Sequence, residues 1–352
     1  MVKDAVPLSE CTRALVVKLR HHGDVLLAAP VLSVLKAHAP RLEVDALVYD
    51  DTAPMLEGHP ALAELHTIGR GWRKLGAWQQ LRKELALLRS LRARHYELLV
   101  LLTDHPRGAW LARLLGVRYS VAPFARGRRA WWRKSFTHLY PLIRNRHQVE
   151  VHLDALRRIG VQPGMNERKL QFVPGRDAER KIAGLALPDT FVHMHPASRW
   201  TFKCWPAERN AQLLDRLSAE GERVVLTAAP GETAFIEEIL SRTAAKPINL
   251  AGQLTLKELG ALTARARLFI GVDSMPMHLA AAMGTPTVAL FGPSSDEEWA
   301  PWKVEHRLVT STHPCRPCRV DGCGGGKVSE CLTLLPVDAV YSAARELLAR
   351  AA

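Results

Sequence analysis

Residues 268–295 form the stretch that most constrains how this chain folds. Residues 268–270 are an apolar run typical of a buried strand, and the chain then turns through residues 271–274. Pro276 opens a helical segment that stops at Gly284, after which Thr287–Phe291 predicts a second buried strand. This unit places a helix N-terminus, with its free amides, at the carboxyl edge of a parallel sheet. It therefore predicts an anion site, unless Asp273 and Ser274 merely cap the helix of an ordinary βαβ unit.

The same alternation of strands and helices runs through the other residues of this 352-residue chain. Leucines three or four residues apart predict a helix over residues 77–94, and Pro30 should kink another over residues 25–38. The fold class is therefore α/β, with two Rossmann-like halves that each form a doubly wound parallel sheet. No G-x-G-x-x-G follows the first strand, which weakens a dinucleotide-binding interpretation. The predicted strands are residues 14–19, 43–48, 65–68, 96–102, 117–122, 190–194, 223–227, 247–250, 268–270 and 287–291.

The Val-Pro-Gly sequence at residues 173–175 predicts a linker between two domains. We expect a first domain of residues 1–173 and a second of residues 174–335. The remaining residues, 336–352, predict a C-terminal helix that packs back on the first domain.

The net charge of +13 is confined to the first half of the chain. Residues 1–175 contain 28 Lys and Arg against 15 Asp and Glu, whereas residues 176–352 contain 20 of each. A basic half joined to a neutral half indicates an anionic partner, and nucleic acid, anionic membrane and phosphorylated glycolipid all remain open. No apolar run approaches the roughly 20 residues of a membrane span, and residues 1–13 are polar, so we expect a cytoplasmic protein.

Residues 195–206, directly after the first strand of the second half, carry small, hydroxyl, basic and aromatic side chains. Small residues after a strand let backbone amides approach phosphate oxygens, and Arg199 and Lys203 could neutralise a diphosphate. Pro206 should begin the next helix. The loop is therefore predicted to bind phosphate.

Residues 127–134 mix cations with two tryptophans. Trp side chains settle at the headgroup level of a membrane and Lys or Arg side chains contact anionic lipid, so this segment is predicted to contact a membrane surface. A solvated loop is the alternative. With Arg126 added at its start, the segment is the hypothesised docking site for anionic membrane or phosphorylated core, and the cations concerned are Arg128, Arg129 and Arg133.

Cys315, Cys318, Cys323 and Cys331 form a C-x2-C-x4-C-x7-C pattern in a Gly- and Pro-rich loop. Four thiols at this spacing suit one structural zinc or iron ion. A reduced or partly disulfide-linked loop is the alternative.

Three of these motifs together resemble the ADP-heptose:lipopolysaccharide heptosyltransferases of glycosyltransferase family 9. They are residues 195–206, residues 271–278 and the Phe-Gly-Pro at residues 291–293; Gly23-Asp24-Val25-Leu26 followed by Pro30 resembles the N-terminal signature of the family. The resemblance covers nearly the whole chain and is most like the heptosyltransferase III branch. Ala197, where a hydroxyl residue is common, and the Thr103-Asp104-His105 sequence depart from the family pattern.

The resemblance implies a GT-B fold, with an acceptor lobe, a nucleotide-sugar lobe and an active site in the cleft between them. It implies inverting transfer of heptose from ADP-heptose to the inner core of lipopolysaccharide, at the inner face of the membrane and without a cofactor. Asp24 matches the general base and Lys203 a phosphate ligand. The expected donor-site residues are Ser198, Arg199, Lys203, Asp273, Ser274, Met275 and His278, and the expected acceptor or membrane contacts are Arg20, His21, His22, Arg128, Arg129 and Arg133.

The chemistry of inverting transfer agrees with these assignments. It needs one base to deprotonate the acceptor hydroxyl, and cations to stabilise the departing diphosphate. Asp24, on a glycine turn at the end of a strand, can supply the base; a helix N-cap is its alternative role, and His21 and His22 are rival bases. A nucleotide-sugar epimerase of the same fold and a nucleic-acid-binding protein are the competing functions.

Overall fold

The computed structural model describes residues 4–125 and 127–350 of the chain. The chain divides into two compact units, Met1–Gln171 and Phe172–Ala352, so the predicted boundary lies two residues beyond the observed one. All of the excess positive charge belongs to the first unit. No helix within the described ranges is long and apolar enough to cross a membrane.

The described part of the first unit forms a parallel six-stranded sheet with helices between the strands. The strands are β1 (Arg13–Val17), β2 (Glu43–Tyr49), β3 (Leu65–Ile68), β4 (Leu98–Leu101), β5 (Tyr119–Phe124) and β6 (His138–Pro141). The helices are α1 (His22–Leu26), α2 (Ala29–His38), α3 (Ala77–Ala93), α4 (Pro106–Leu115), α5 (Ala130–Arg133) and α6 (Gln148–Arg158).

The second unit repeats this architecture. Its strands are β7 (Val192–His195), β8 (Val224–Leu226), β9 (Ile248–Asn249), β10 (Leu268–Val272), β11 (Thr287–Phe291) and β12 (His306–Thr310). Its helices are α7 (Arg176–Ala183), α8 (Ala207–Ala219), α9 (Thr233–Leu240), α10 (Leu256–Arg265), α11 (Met275–Met283), α12 (Asp296–Trp299), α13 (Glu330–Thr333) and α14 (Val337–Arg350).

Both sheets have the same strand order. The first is β3-β2-β1-β4-β5-β6 and the second, written from its other edge, is β9-β8-β7-β10-β11-β12. This is the doubly wound dinucleotide-fold order, in which the chain reverses its direction of winding between the first and fourth strands. The predicted α/β fold class, with two Rossmann-like doubly wound domains, is confirmed. The expected binding crevices lie where β1 meets β4 and where β7 meets β10.

The C-terminal helix corrects a prediction. α14 packs against α8 and the strands β10, β11 and β12, and Val340, Ala344 and Leu347 are buried in the apolar core of the second unit. Its apolar stripe is therefore covered within the second unit, of which α14 is part, whereas we predicted a helix that packs back on the first domain. Ala351, which we included in the predicted helix, lies outside the described residues.

The helical run after β1 is also organised differently from the prediction. It consists of two helices, α1 and α2, separated at Leu27 and Ala28. Pro30 lies in the first turn of α2, where its missing N–H costs no intrahelical hydrogen bond. The chain therefore breaks before Pro30 instead of kinking at it.

Candidate active site

The first part of the candidate site lies at the carboxyl edge of the second sheet, where β7 and β10 are neighbours. β7 ends at His195 and β10 at Val272, so the loops that follow them start side by side. At such a switch point the loops diverge and leave a crevice for a ligand. The two loops that the sequence predicts to bind phosphate thus meet at one place.

An ion pair joins these two loops. A short turn, Thr201–Lys203, orients the Lys203 side chain, whose Nζ donates to Asp273 Oδ2 at 2.6 Å. Asp273 is buried and only 23% of the Lys203 side chain is exposed, so solvent screens the pair weakly. The ammonium group is held next to the segment that starts α11. Pro276 has no N–H and the following amide already donates to a backbone carbonyl at 3.2 Å, so the amide of Met275 is the donor that this terminus offers. A cation beside such an amide is an arrangement that favours phosphate.

The capping interpretation of Asp273 and Ser274 is wrong. Ser274 occupies the N-cap position of α11, but its Oγ donates to the carbonyl of Val272 at 3.3 Å and makes no capping bond. Asp273 is engaged with Lys203 instead. Gly284 does end the helix in the left-handed conformation, with φ of 75°.

The other predicted donor-site residues occupy different environments. Arg199 is exposed and stacks over the Trp200 ring at 4.8 Å, whereas Ser198 is buried and its Oγ accepts the Trp200 amide at 3.3 Å. Met275 is the half-buried first residue of α11. His278 is buried one turn further on, with its ring 6.2 Å from that of Trp299, so we expect it to support the loop.

A cleft of about 240 Å³ borders Lys203. One wall is formed by Pro293, Ser294 and Ser295 after β11, and another by residues 319–321 of the cysteine-rich loop. The hydroxyl of Ser329 donates to the carbonyl of Phe202 at 2.6 Å, which fastens the cysteine-rich loop to the loop that carries Lys203. The cysteine-rich loop is therefore part of the surroundings of the candidate donor site.

A buried polar network under the β7 loop was not predicted from the sequence. The Thr227 hydroxyl lies 2.7 Å from His193 Nε2 and 2.8 Å from His195 Nδ1. Glu232 accepts a hydrogen bond from the Ala229 amide at 2.9 Å, and His195 Nε2 lies 3.8 Å from the same carboxylate oxygen. Burial raises the pKa of Glu232, but His195 and the amide outweigh it and the pKa is lowered. An ionised carboxylate therefore lies beside the end of β8. In the sequence, the Pro-Gly-Glu turn that contains Glu232 is the one signal that could have indicated this carboxylate.

The second part of the candidate site lies at the carboxyl edge of the first sheet, where β1 meets β4. Asp24 is the third residue of α1, so it is not an N-cap; that position belongs to His21. Its Oδ1 lies 3.4 Å from Nζ of Lys18, a fully buried lysine just beyond the end of β1. Burial raises the pKa of Asp24, but the surrounding basic groups, Lys18 first and then others such as Arg20, together outweigh it and the pKa is lowered. The carboxylate is therefore ionised at neutral pH.

Besides its ion pair with Asp24, Lys18 makes two hydrogen bonds inside the unit. Its Nζ donates to the carbonyl of Leu102 at 3.3 Å and lies 2.8 Å from His152 Nε2. Because His152 Nε2 accepts, its proton is on Nδ1, which donates to the carbonyl of Leu27 at 3.1 Å. Burial and the Lys18 charge lower the pKa of His152 to about 3, so the ring stays neutral. This network fixes Asp24 and was missed because its members are distant in sequence.

The acceptor-side cations are only partly brought together. Arg20 donates to Asp104 Oδ1 at 3.3 Å, and Arg128 donates to Asp104 Oδ2 at 3.2 Å and to its carbonyl at 2.6 Å. Two predicted cations therefore converge on Asp104, a residue that departs from the family pattern. Of the rival bases, His21 is exposed and His22 Nε2 lies 2.9 Å from the Asp51 carbonyl.

Residues 127–134 are not a simple loop, because they contain the short helix α5. Trp132 is buried in the core of the unit, with its ring 4.9 Å from that of Phe136, so it does not lie at a membrane surface as predicted. Arg129 and Arg133 are exposed, and Arg133 lies over the Phe124 ring at 5.9 Å. Arg126, which adjoins this segment in our hypothesis, lies outside the described residues.

The four clustered cysteines are free thiols. Burial, and then Cys318 and Cys323, raise the pKa of Cys315. Burial also raises the pKa of Cys331, with smaller contributions from the other three thiols. The sulfur atoms do not lie close enough together to form a metal-binding group: among the described residues, the group of three ligand atoms within 4.8 Å of one another is Asp45, Glu64 and His66. Arg94 already pairs with that group, Nε to Asp45 Oδ2 at 2.7 Å, so it is a structural ion-pair network.

Comparison with known proteins identifies the family. The model of glycosyltransferase family 9 (heptosyltransferase) matches residues 84–328. Lipopolysaccharide heptosyltransferase 3 of Escherichia coli K12 is 37% identical over 290 residues, which cover 81% of this chain and 83% of that protein. This relative agrees with the predicted branch.

Two solved structures share the fold. The family 9 glycosyl transferase of Veillonella parvula has a TM-score of 0.84 and 23% identity, covering 99% of this chain and 100% of its own. The ADP-heptose heptosyltransferase II of E. coli has a TM-score of 0.77 and 21% identity, covering 96% and 99%. On the family match and the 37% identity, this chain belongs to glycosyltransferase family 9, the heptosyltransferases.

Proposed function

We propose that this protein transfers a heptosyl residue from ADP-heptose to the phosphorylated inner core of lipopolysaccharide, with inversion at the anomeric carbon. The observation that carries the proposal is the Lys203–Asp273 pair at the β7/β10 switch point of a family 9 fold. Two similar proteins support the choice of substrates: one is a lipopolysaccharide heptosyltransferase and the other an ADP-heptose heptosyltransferase.

On the donor side, Lys203 binds the diphosphate. Its ammonium is paired with Asp273, and an incoming diphosphate shares that cation and meets the Met275 amide at the start of α11. Charge that develops on the leaving phosphate is stabilised by donors already in place, which is the most effective electrostatic contribution to such a transfer. The exposed Arg199 extends the positive surface of the same loop. No cofactor is needed for this step.

On the acceptor side, Asp24 is the general base. It takes the proton of the attacking sugar hydroxyl while that oxygen forms a bond to the anomeric carbon and the bond from that carbon to the diphosphate breaks. A positioned proton acceptor contributes about 10²–10⁴ in rate. Lys18 is a positioning residue here, because it holds the Asp24 carboxylate ionised and in place.

The basic first unit meets the phosphorylated, membrane-borne acceptor. Arg20 and Arg128 both donate to Asp104, beside the β1/β4 switch point. Arg129 and Arg133, which follow shortly in the sequence, are exposed. We place peripheral contact with anionic lipid at this side of the protein. We further propose that the four cysteines close around one zinc or iron ion, which stiffens the loop beside Lys203 and has no part in the chemical step.

The test is ADP release from ADP-heptose, measured with and without lipopolysaccharide that lacks the outermost inner-core heptose. Release that requires the acceptor and adds one heptosyl residue to it is the expected result. Isomerisation of the nucleotide sugar without an acceptor would indicate an epimerase instead. Tight binding of duplex DNA or RNA at physiological salt, with no turnover, would indicate a nucleic-acid-binding protein.

A further inference from the structure

Helix α3 exposes an apolar face that the first unit does not cover. All of its residues are described, yet Leu91 alone is fully buried. Trp78, Leu81 and Leu85 follow one another at helical spacing on one face, and the exposed fraction of the Trp78 side chain is 79%. In a water-soluble helix this face would normally be turned to the core, so its exposure needs an explanation.

The neighbouring helix α4 continues this apolar surface. Between α3 and α4 runs a groove of about 490 Å³, lined mostly by leucines and by Trp110, which is 57% exposed. The Trp110 ring also lies 5.2 Å from that of Trp131 in α5, so the surface is continuous with residues 127–134. Leu114, at the end of α4, is exposed as well.

The charges around this apolar surface are almost all positive. α3 carries Arg82, Lys83, Arg89 and Arg92, and its single acidic residue is Glu84. Glu84 is already neutralised by Arg107 of α4, which donates to its Oε1 at 2.7 Å. Exposed tryptophan and leucine ringed by unneutralised cations fit an anionic lipid surface better than a protein partner, because aromatic rings settle at the headgroup level while the cations meet phosphate.

We propose that the α3–α4 face, defined by Trp78, Leu81, Leu85, Trp110 and Leu114, is the surface by which this enzyme inserts into an anionic phospholipid bilayer. The proposal rests on the proposed function, in which the acceptor is a lipid-anchored glycan in that bilayer. It moves the main membrane contact from α5, whose Trp132 is buried, to the adjoining pair of helices. Arg129 and Arg133 then supply electrostatic attraction at the edge of the inserted face.

The direct test is sedimentation with vesicles of phosphatidylethanolamine and phosphatidylglycerol. We expect the triple variant Trp78→Gln, Leu81→Gln, Trp110→Gln to lose at least tenfold in partitioning, with its thermal unfolding unchanged because these side chains are exposed. The matched control is Met165→Gln, Val328→Gln, Leu334→Gln, which removes equally exposed apolar side chains elsewhere and should sediment like the parent. A triple variant that sediments like the parent would overturn the proposal.

A second measurement separates this proposal from the function on which it rests. On a delipidated, water-soluble core oligosaccharide the α3–α4 variant should transfer heptose at the parental rate, and on acceptor embedded in vesicles it should be slower by about the factor lost in partitioning. If the parent protein transferred heptose to neither acceptor, the proposed function would be refuted. The vesicle-binding result would still test the role of the α3–α4 face. The parent protein could instead dimerise in the absence of vesicles while the triple variant is monomeric. That result would show that a second copy of the chain covers this face, and it would also overturn the proposal.

Discussion

The contact between Lys18 and Asp24 gives the sharpest prediction about the acceptor side of the enzyme. Lys18→Met keeps the length and the apolar stem of a fully buried side chain and removes its charge. The Asp24 carboxylate, 3.4 Å from the lost ammonium, then loses its nearest countercharge. Because Lys18 lowers the pKa of Asp24, its removal raises that pKa, and the base becomes protonated over a wider range of pH.

The distance sets the size of the effect. Unit charges at this separation, with an effective dielectric constant of about 20, attract by about 5 kcal/mol before desolvation is subtracted. Burying an ammonium group cancels several kcal/mol of that attraction, and 21% of the Asp24 side chain remains exposed to water. We therefore expect that the ionised carboxylate loses about 1–3 kcal/mol of stabilisation. Where protonation of the base limits the rate, this loss corresponds to a decrease of roughly 5- to 150-fold in turnover.

The assay is the pH dependence of kcat for heptosyl transfer. In Lys18→Met the acid limb of the profile should move to higher pH, and turnover should recover in part above it. The same substitution in an Asp24→Asn background should have almost no further effect, since a positioning residue acts only through the base. Lys36→Met is the control, because Lys36 donates to the Leu42 carbonyl and pairs with no catalytic carboxylate. An acid limb that stays where the parent has it would refute the role of Lys18.

Three further predictions concern other parts of the molecule. Lys203→Ala should weaken ADP binding at least tenfold in calorimetry, since a charged hydrogen bond to a diphosphate is lost; unchanged affinity would remove Lys203 from the donor site. Protein purified without chelator should contain near one equivalent of zinc or iron, and the Cys315→Ser, Cys318→Ser double variant should lose it. A parent protein that contains no metal and is fully active would show that the cysteines serve only the structure of the loop. Asp45→Asn should lower the free energy of unfolding by about 2 kcal/mol at pH 7. Burial raises the pKa of Asp45, but hydrogen bonds from His66, Arg94 and Tyr96 outweigh it and hold the pKa at about 2. The difference in stability should therefore persist above pH 4 and disappear as the pH falls towards 2; a difference independent of pH would contradict this account.

The sequence predicted most of the central strands, because each is a short apolar run between turn residues. It did not predict β6 or β12, which are edge strands. β6 ends in Pro141 and β12 contains the half-buried Arg307, so neither shows the continuous apolar pattern of a strand buried on both faces. Edge strands need no such pattern, since one side of each has no neighbouring strand.

The individual site residues were predictable and their partners were not. Asp24 stands on a glycine turn after a strand, which marks it, whereas Lys18 looks like the exposed end of that strand. Its burial depends on His152, 134 residues away, and on the pairing of β1 with β4. In the same way Lys203 and Asp273 were each predicted from their own loop, but their ion pair exists only because β7 and β10 are adjacent.

The stereochemistry of the product tests the central claim most directly. We would incubate the enzyme with ADP-heptose and a core acceptor that lacks the transferred heptose, and determine the anomeric configuration of the new linkage by NMR. A single base at Asp24 and a single displacement of the diphosphate predict one added heptosyl residue whose configuration is opposite to that of the donor. A product that retains the donor's configuration would require a second displacement, and would contradict the role proposed for Asp24.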